Sequence, residues 1–215
     1  MLQKSALTVL VVDDHPLLRK GVVDLLDLED NIIPVGEAGS GQEALTLALD
    51  LEPDLILLDL NMPDMNGIET IQAMRNAGVD SRILLFTVSD SELDVVSAFR
   101  EGADGYLLKD MEPEELIRNI VKSADGKTAI SPELVDILTT AIRSRPAQQD
   151  ATLSELTERE REVLKHVAHG LSNKMIARKL DIAEGTVKVH VKRLLKKLHM
   201  RSRVEAAVWL TRLQD

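Results

Sequence analysis

The apolar positions in the first half of the chain form short continuous runs separated by amphipathic segments. The runs occupy 7–12, 55–58, 83–86 and 105–108, and a weaker one lies at 32–35. Runs of this length are typical of strands buried on both faces. Between them, apolar residues recur at helical spacing in five segments: 17–28, 42–49, 67–77, 93–101 and 113–123. This alternation predicts an α/β domain in which helices cover both faces of a doubly wound, five-stranded parallel sheet.

The pattern changes after Gly126. Ser131-Pro132 is a typical helix start, because serine caps free N–H groups and proline suits the first helical turn. We expect this helix to end near Arg143, and the polar segment 144–152 is typical of a linker. The rest predicts only helices, at about 157–170, 174–180, 185–198 and 202–213. The expected organisation has three parts: an α/β domain over 1–125, a helix and linker over 126–152, and an all-α domain over 153–215.

The two halves of the chain carry opposite charge. The formal net charge is −10, but residues 1–150 hold 12 basic and 28 acidic residues, whereas residues 151–215 hold 14 basic and 8 acidic ones. Ten of the basic residues and only two acidic ones lie between Lys174 and Arg203, which favours a polyanion as partner of the second half.

The absence of cysteine excludes a disulfide framework and a thiolate metal site and suits a reducing compartment. No run approaches the roughly 20 apolar residues of a membrane span. We therefore expect a cytoplasmic protein without a membrane segment.

Each of the polar residues best suited to chemistry follows directly on an apolar run. Asp13 and Asp14 follow the first, and the other three are Asp59, Thr87 and Lys109. Open parallel sheets bind ligands at the carboxyl ends of their strands, so these side chains are expected to meet in one place.

Clustered carboxylates with one lysine suit Mg²⁺-assisted phosphoryl transfer, since Mg²⁺ prefers oxygen ligands and the ammonium neutralises phosphoryl charge. Asp59 is the expected nucleophile and also a metal ligand. Asp14 is the expected direct Mg²⁺ ligand, whereas Asp13 is expected to contact the ion mainly through a water molecule. The backbone carbonyl of Asn61 is a further expected ligand. Lys109 and the Thr87 hydroxyl would contact the phosphoryl oxygens.

The segments VVDDHP, LILLDLNMPDMNG, LLFT and GADGYLLKD closely resemble a response-regulator receiver domain over residues 7–123. The resemblance implies the flavodoxin-like receiver fold, phosphorylation of Asp59 by a sensor histidine kinase and dependence on Mg²⁺. It also implies that Thr87 and Tyr106 form a pair that senses the phosphate, although Tyr106 could equally serve in packing.

The predicted helix 185–198 has two distinct faces. Its apolar face holds Val187, Val191, Leu194, Leu195 and Leu198. A second face carries three lysines at a spacing of four residues, with Val189 beside them. Because a short helix and a tight turn precede it, the arrangement predicts a helix-turn-helix whose second helix enters the major groove of double-stranded DNA. The expected base-reading residues are Lys188, Val189 and Lys192. The expected backbone contacts are Lys174, Arg178, Lys179, His190, Arg193, Lys196 and Lys197.

For His190, packing remains an equal alternative to a phosphate contact.

Residues 153–213 resemble the LuxR/FixJ-type domain of the NarL/FixJ response regulators. Ala183 departs from the serine or threonine common there before the recognition helix, and Gly185 lies in its first turn. A missing N-cap costs about 1 kcal/mol, so this helix is expected either to begin loosely or to rely on Glu184 and on DNA for its order. Thr157 and Glu160 have the capping-box pattern of the domain's first helix, and Gly170 is its expected C-terminal glycine.

Over its full length the chain is most similar to the nitrate/nitrite regulators of this family, which implies control of nitrate or nitrite respiration genes. The charge split suggests that the acidic receiver covers the basic helix until Asp59 is phosphorylated. The last helix is expected to expose an apolar face that forms a homodimer on DNA. That face would hold Val204, Ala207, Val208 and Leu210.

Two other functions fit parts of the pattern. A constitutive DNA binder would carry a receiver that phosphate does not switch, but its acidic positions are all filled here. A phosphatase of the haloacid-dehalogenase type needs its nucleophile within D-x-D-x-[TV], whereas Asp13 and Asp14 are adjacent and Asp59 follows another strand. We expect no enzyme activity beyond the receiver's part in its own phosphorylation and dephosphorylation.

Overall fold

The computed structural model describes residues 6–124, 129–131, 153–171, 173–200 and 203–212. The predicted linker over 144–152 lies outside these residues, as does the predicted helix before it apart from Ser131.

A parallel sheet forms the centre of the first part of the chain. Its strands are β1 (Leu7–Val12), β2 (Ile32–Ala38), β3 (Leu55–Leu58), β4 (Arg82–Thr87), β5 (Gly105–Leu108) and β6 (Ala129–Ile130). They lie in the order β2-β1-β3-β4-β5-β6, and every neighbouring pair is parallel. The predicted doubly wound sheet of five strands is confirmed. The sixth strand escaped prediction because two residues are too few to show a period.

In the part of the chain that the structure describes, five helices cover the two faces of this sheet. They are α1 (Pro16–Asp27), α2 (Gly41–Leu51), α3 (Gly67–Ala77), α4 (Glu92–Glu101) and α5 (Pro113–Ala124). Side chains alternate across each strand, so Leu10 and Val12 join one buried cluster while Val9 and Val11 join the other. Burial on both faces explains why the strands are continuously apolar.

The second part of the chain is helical and has its own core. After a 3-10 turn at Leu153–Glu155 come α6 (Glu158–Ala168), α7 (Asn173–Leu180), α8 (Glu184–Lys197) and α9 (Arg203–Arg212). Among the described residues, this core draws only on positions between Leu156 and Leu210. The predicted capping box of Thr157 and Glu160 is present, and Gly170 has the positive φ of +75° that suits a residue after a helix end.

The expectation of an exposed apolar face on the last helix is wrong at Leu210. This side chain is 5% exposed and belongs to the core, because α9 packs against α6. Ala207 is half-buried against the same core. The side chains of Val204 and Val208 lie outside the described residues.

The two parts touch at the edge of the sheet where the strands begin. The Lys192 ammonium of α8 lies 2.8 Å from the position that a Cβ on Gly78, the C-cap of α3, would occupy. Arg203, at the start of α9, faces Arg82 and Asp104 beside the starts of β4 and β5. The recognition-helix side of the helical domain therefore faces the α/β domain.

Candidate functional site

Three aspartates and a histidine form a pocket where β1 and β3 end. Ligand atoms of Asp13, Asp14, His15 and Asp59 all lie within 4.8 Å of one another. Asp13 is 4% exposed and Asp59 is 3% exposed. β1 pairs directly with β3 and ends beside it, which brings residues 46 positions apart in the sequence together. The structure thus joins the acidic residues that the sequence placed after separate strands.

Lys109 provides the positive charge of this pocket. Its ammonium lies 2.7 Å from Oδ2 of Asp13 and 3.0 Å from Oδ1 of Asp59. The side chain reaches both carboxylates because it follows β5, whose end lies at the same edge of the sheet. One lysine therefore balances part of the charge of two buried carboxylates.

The pocket suits a hard divalent cation. Its donors are carboxylate oxygens, the type that Mg²⁺ prefers. Oδ1 of Asp14 is buried and accepts no hydrogen bond that meets the geometric criteria from any described residue, although His15 Nδ1 lies 2.7 Å from it; this oxygen could bind a cation once His15 turns away. Asn61 is exposed two residues after Asp59, and its carbonyl as a further ligand stays a prediction.

Two cationic or titratable neighbours were missed by the sequence analysis. The Nδ1 atom of His15 lies 2.7 Å from Oδ1 of Asp14 and 3.3 Å from Oδ1 of Asp13. Arg19, one turn into α1, donates a hydrogen bond to the backbone carbonyl of Asp13. His15 could have been found from its place beside the acidic pair, whereas Arg19 reaches the loop only through the direction of α1.

Thr87 and Tyr106, the predicted sensing pair, both bind Ser89. The Thr87 hydroxyl oxygen accepts a hydrogen bond from the Ser89 N–H at 3.2 Å, and the Tyr106 hydroxyl donates to the Ser89 carbonyl at 2.9 Å. Both side chains are fully buried. Burial raises the pKa of Tyr106 to about 12, from an ordinary value of 10.0 that already keeps its hydroxyl protonated at neutral pH. Ser89, which the sequence analysis missed, links the two residues.

The recognition helix α8 is anchored by its apolar face. Val187, Val191, Leu194 and Leu198 are buried in the helical core, as predicted, and Leu195 is partly buried against it. At the N-terminus, Ala183 provides no side-chain cap. The helix begins at Glu184 without such a cap, and the expected looseness of its start stays a prediction.

The predicted DNA-reading side chains lie on the opposite face of α8. Val189 is 45% exposed and Lys192 is also exposed, while Lys188 is half-buried in the cleft between the domains. Arg178, Lys179, Arg193 and Lys196 are exposed, and the side chain of Lys174 lies outside the described residues. These positions form a basic surface that extends from α7 along α8.

Lys197 and His190, both predicted to contact DNA phosphates, are less exposed than the other described side chains of that set. The Lys197 ammonium pairs at 2.7 Å with the Glu160 carboxylate, which is only 2% exposed. Burial by itself raises the pKa of Glu160, but hydrogen bonds from Lys197 and Thr157 outweigh it and hold this pKa below its ordinary value. His190 is half-buried, and its Nδ1 has no hydrogen-bond partner among the described residues, which leaves both of its suggested roles open.

Both domains match known protein families. Residues 9–121 match the response regulator receiver domain, and residues 154–210 match the bacterial regulatory proteins of the luxR family. Among the described residues, no helix is long and apolar enough to cross a membrane.

Similar proteins are matched along nearly the whole chain. The nitrate/nitrite response regulator protein NarL of Escherichia coli K12 is 51% identical over 98% of this chain and 97% of its own length. NarP, the nitrate/nitrite response regulator protein of the same strain, is 46% identical over 97% and 96%. The crystal structure of ChrA, a response regulator in a heme-sensing two-component system, is 34% identical, covers 98% of each chain and has a TM-score of 0.53. The chain therefore belongs to the two-component response regulators that join a receiver domain to a luxR-type DNA-binding domain.

Proposed function

We propose that phosphorylation of Asp59 controls DNA binding by α8, through release of this helix from the receiver. The observation that carries the proposal is the pairing of two sites at opposite edges of one sheet. Asp59 lies beside Lys109 where the strands end, and the recognition helix contacts the edge where they begin.

The pocket suits transfer of a phosphoryl group from a sensor histidine kinase. A carboxylate oxygen of Asp59 attacks phosphorus, the N–P bond of the phosphohistidine breaks, and an acyl phosphate forms. The Lys109 ammonium lies within reach of the new phosphoryl oxygens. The buried Thr87 hydroxyl would bind another phosphoryl oxygen once its hydrogen bond with the Ser89 N–H is broken. Asp13, Asp14, Asp59 and the carbonyl of Asn61 would hold Mg²⁺, which neutralises phosphoryl charge when bound.

Two strands join the pocket to the domain interface. β4 begins at Arg82 in the interface and ends at Thr87 in the pocket. β5 begins after Asp104 and ends before Lys109. A shift of Thr87 toward a phosphoryl group would disturb the Ser89 loop that Tyr106 holds, and the same strands would carry the change to the interface.

Electrostatics supports the docked arrangement. Lys192 lies at the C-terminus of α3, where the helix dipole concentrates negative partial charge. The receiver half of the chain also carries a large excess of acidic residues, whereas the helical half is basic. The receiver therefore offers α8 a surface of the same sign as the DNA backbone.

In the released state we assign Lys188, Val189 and Lys192 to base edges in the major groove. Lys174, Arg178, Lys179, Arg193 and Lys196 would contact phosphates, and His190 would contact a phosphate or pack. Lys197 is removed from this set because Glu160 holds it.

We further propose the domain limits 1–125, 126–152 and 153–215, except that β6 and Ser131 belong to the receiver sheet. We also propose a homodimer on DNA formed through α9. Leu210 has no part in that dimer, so the contact would depend on the half-buried Ala207 and on neighbouring positions of the helix. The chain acts in the cytoplasm as a regulator, with no catalysis beyond its own phosphorylation and dephosphorylation.

The NarL and NarP relatives support nitrate or nitrite as the stimulus and nitrate or nitrite respiration genes as the targets. A reporter driven by such a promoter should respond to nitrate in cells that carry this protein and not in cells that carry Asp59→Asn. An equal response with both proteins would contradict the proposal.

The central test combines phosphorylation with DNA binding. The full chain is incubated with Mg²⁺ and acetyl phosphate, its mass is measured, and its DNA affinity is compared with that of the fragment 150–215, which holds every described residue of the helical core. We expect a stable, base-labile phosphate on the wild type and none on Asp59→Asn. The untreated full chain should bind DNA more weakly than the fragment, and phosphorylation should remove the difference.

Equal DNA affinities of the untreated full chain and the fragment would contradict release of α8 as the mechanism. Turnover of many acetyl phosphate equivalents without lasting modification would favour a phosphatase instead.

A further inference from the structure

The docked domains enclose a cleft of about 280 Å³. The receiver contributes the end of α3, the start of β4 and Asp104. The helical domain contributes one face of α8 and Arg203 of α9. The cleft lies at the opposite edge of the sheet from Asp59 and is separate from the phosphorylation pocket.

Positive charge predominates in this cleft although the chain as a whole is acidic. Among the described residues, six cationic side chains line it: Arg75, Arg82, Lys188, Lys192, Lys196 and Arg203. Three carboxylates accompany them: Asp80, Glu101 and Asp104. The formal excess is three positive charges: the helical domain contributes four cations, whereas the receiver contributes two arginines and three carboxylates.

The buried carboxylate of the cleft is already used by the receiver. Oδ2 of Asp104 accepts hydrogen bonds from Arg75 at 2.8 Å and from the Ile83 N–H at 3.0 Å. Its other oxygen lies 3.9 Å from Arg82. Asp104 therefore already balances two receiver arginines, and it offsets the charge of Arg203 only in part.

The lysines of the cleft pair with none of the described carboxylates. The structure gives no ion pair within 4.0 Å between Lys188, Lys192 or Lys196 and any described acidic residue. Lys192 and Lys196 lie one helical turn apart on α8, so both ammonium groups can approach one ligand.

Arg203 places a further charge among like charges. Burial, followed by the neighbouring charge of Arg82, lowers its pKa to about 10. Its guanidinium donates to the Leu171 carbonyl and, at 3.5 Å, to Asn173. Three of its five N–H donors then have no acceptor among the described residues. Both the unused donors and the local excess of positive charge favour an anionic ligand.

We propose that this cleft binds a small multivalent oxyanion of the phosphate class, between Arg203 and the lysines of α8. The cleft volume lies at the lower limit of small-molecule sites, about 300 Å³, which suits an anion of the size of pyrophosphate. The anion neutralises cations from both domains, so it strengthens their docking and competes with DNA for Lys188 and Lys192. This inference rests on the docked arrangement described under the proposed function.

The direct test is calorimetric titration of the unphosphorylated full chain with pyrophosphate at fixed ionic strength. Wild-type protein should bind one anion per chain. Arg203→Gln and Lys192→Gln should each weaken binding about tenfold or more, the loss expected for one hydrogen bond to a charged group. Lys165→Gln removes one exposed charge of the same domain outside the cleft and should bind like the wild type. No binding, or equal binding by all four proteins, would overturn the proposal.

Lys192→Gln keeps the test valid if the Arg203 variant fails to fold. Lys192 is exposed and lies outside the helical core, so its replacement should leave the fold intact. Docking is measured separately. The chain has no cysteine, so spin labels on Asp50→Cys and Lys165→Cys report one distance between the domains. A single narrow distance without pyrophosphate binding would overturn the anion site alone. A broad distance distribution that pyrophosphate leaves unchanged would overturn both the docking and the site.

Discussion

The ammonium nitrogen of Lys109 lies 3.0 Å from Oδ1 of Asp59. The same ammonium contacts Asp13, and both carboxylates are almost fully buried. A buried carboxylate requires a cationic or hydrogen-bonding partner. Lys109 therefore contributes to folding as well as to the chemistry proposed for Asp59.

Lys109→Met should destabilise the receiver and make its stability depend more on Mg²⁺. Loss of one partner of a buried ion pair costs about 3–5 kcal/mol. A divalent cation among the carboxylates would restore part of the lost charge balance. Thermal unfolding with and without Mg²⁺ measures both effects, and Lys122→Met, at an exposed lysine of α5, is the control. Equal Mg²⁺ stabilisation of Lys109→Met and wild type would contradict this prediction.

Tyr106→Phe should uncouple phosphorylation from DNA binding. The variant keeps the buried ring but loses the hydrogen bond to the Ser89 carbonyl, at a cost of about 1 kcal/mol in stability. We expect an unchanged rate of modification by acetyl phosphate and a smaller gain in DNA affinity on phosphorylation. Ser91→Ala, in the same loop and without a side-chain cap bond, should behave like the wild type. A full gain in affinity with Tyr106→Phe would exclude the proposed role.

Gly67→Ala should impair the phosphorylation pocket by displacing the backbone of Asp59. A Cβ at this position would lie 2.4 Å from the Asp59 carbonyl oxygen and 2.8 Å from the Leu60 Cα, and neither is a flexible atom. A displacement of up to about 1 Å slows an oriented reaction by as much as about 100-fold.

The matched control for Gly67 is Gly21→Ala in α1, where a Cβ would meet nothing within 4 Å. That variant should gain about 0.5–1 kcal/mol in stability, since alanine favours a helix over glycine. Acetyl phosphate modification rates and unfolding curves of both variants test the pair. Equal rates would show that the close approach at Gly67 does not position Asp59.

Ala183→Ser should strengthen the start of the recognition helix. The Ala183 backbone already has the extended conformation of an N-cap, with φ −66° and ψ 146°, but no side-chain cap. A serine oxygen there would accept from a free helical N–H and add about 1 kcal/mol to the unfolding free energy. Chemical denaturation of the helical domain measures the gain. A loss of stability would indicate that the cap geometry is unsuitable.

Acid should weaken the helical domain through Glu160. Its pKa in the folded protein lies below the ordinary value of 4.5, so its contribution is complete above that value and is lost as the pH falls through the folded pKa. Glu160→Gln should lower stability at neutral pH and reduce the further loss on acidification. Glu162→Gln, at an exposed glutamate, should change neither. An identical acid dependence of Glu160→Gln and wild type would contradict this assignment.

Much of the receiver site followed from local pattern. Asp13, Asp59 and Lys109 each follow an apolar run, and parallel strands place such positions at one edge of the sheet. The capping box at Thr157 and the weak cap at Ala183 were also readable, because a cap depends on residues within one helical turn.

The sequence by itself determined the two domains' fold classes, the alternation of strands and helices, and the residue types of both sites, since periodicity and composition are local properties. Only the tertiary structure decided that Ser89 links Thr87 to Tyr106, that Glu160 holds Lys197, and that Leu210 is buried. It alone also placed Lys192 against Gly78 and gathered arginines around Asp104. Such contacts join residues far apart in the chain, and their geometry depends on how helices pack and domains dock, which no local pattern of hydrophobic and polar residues records.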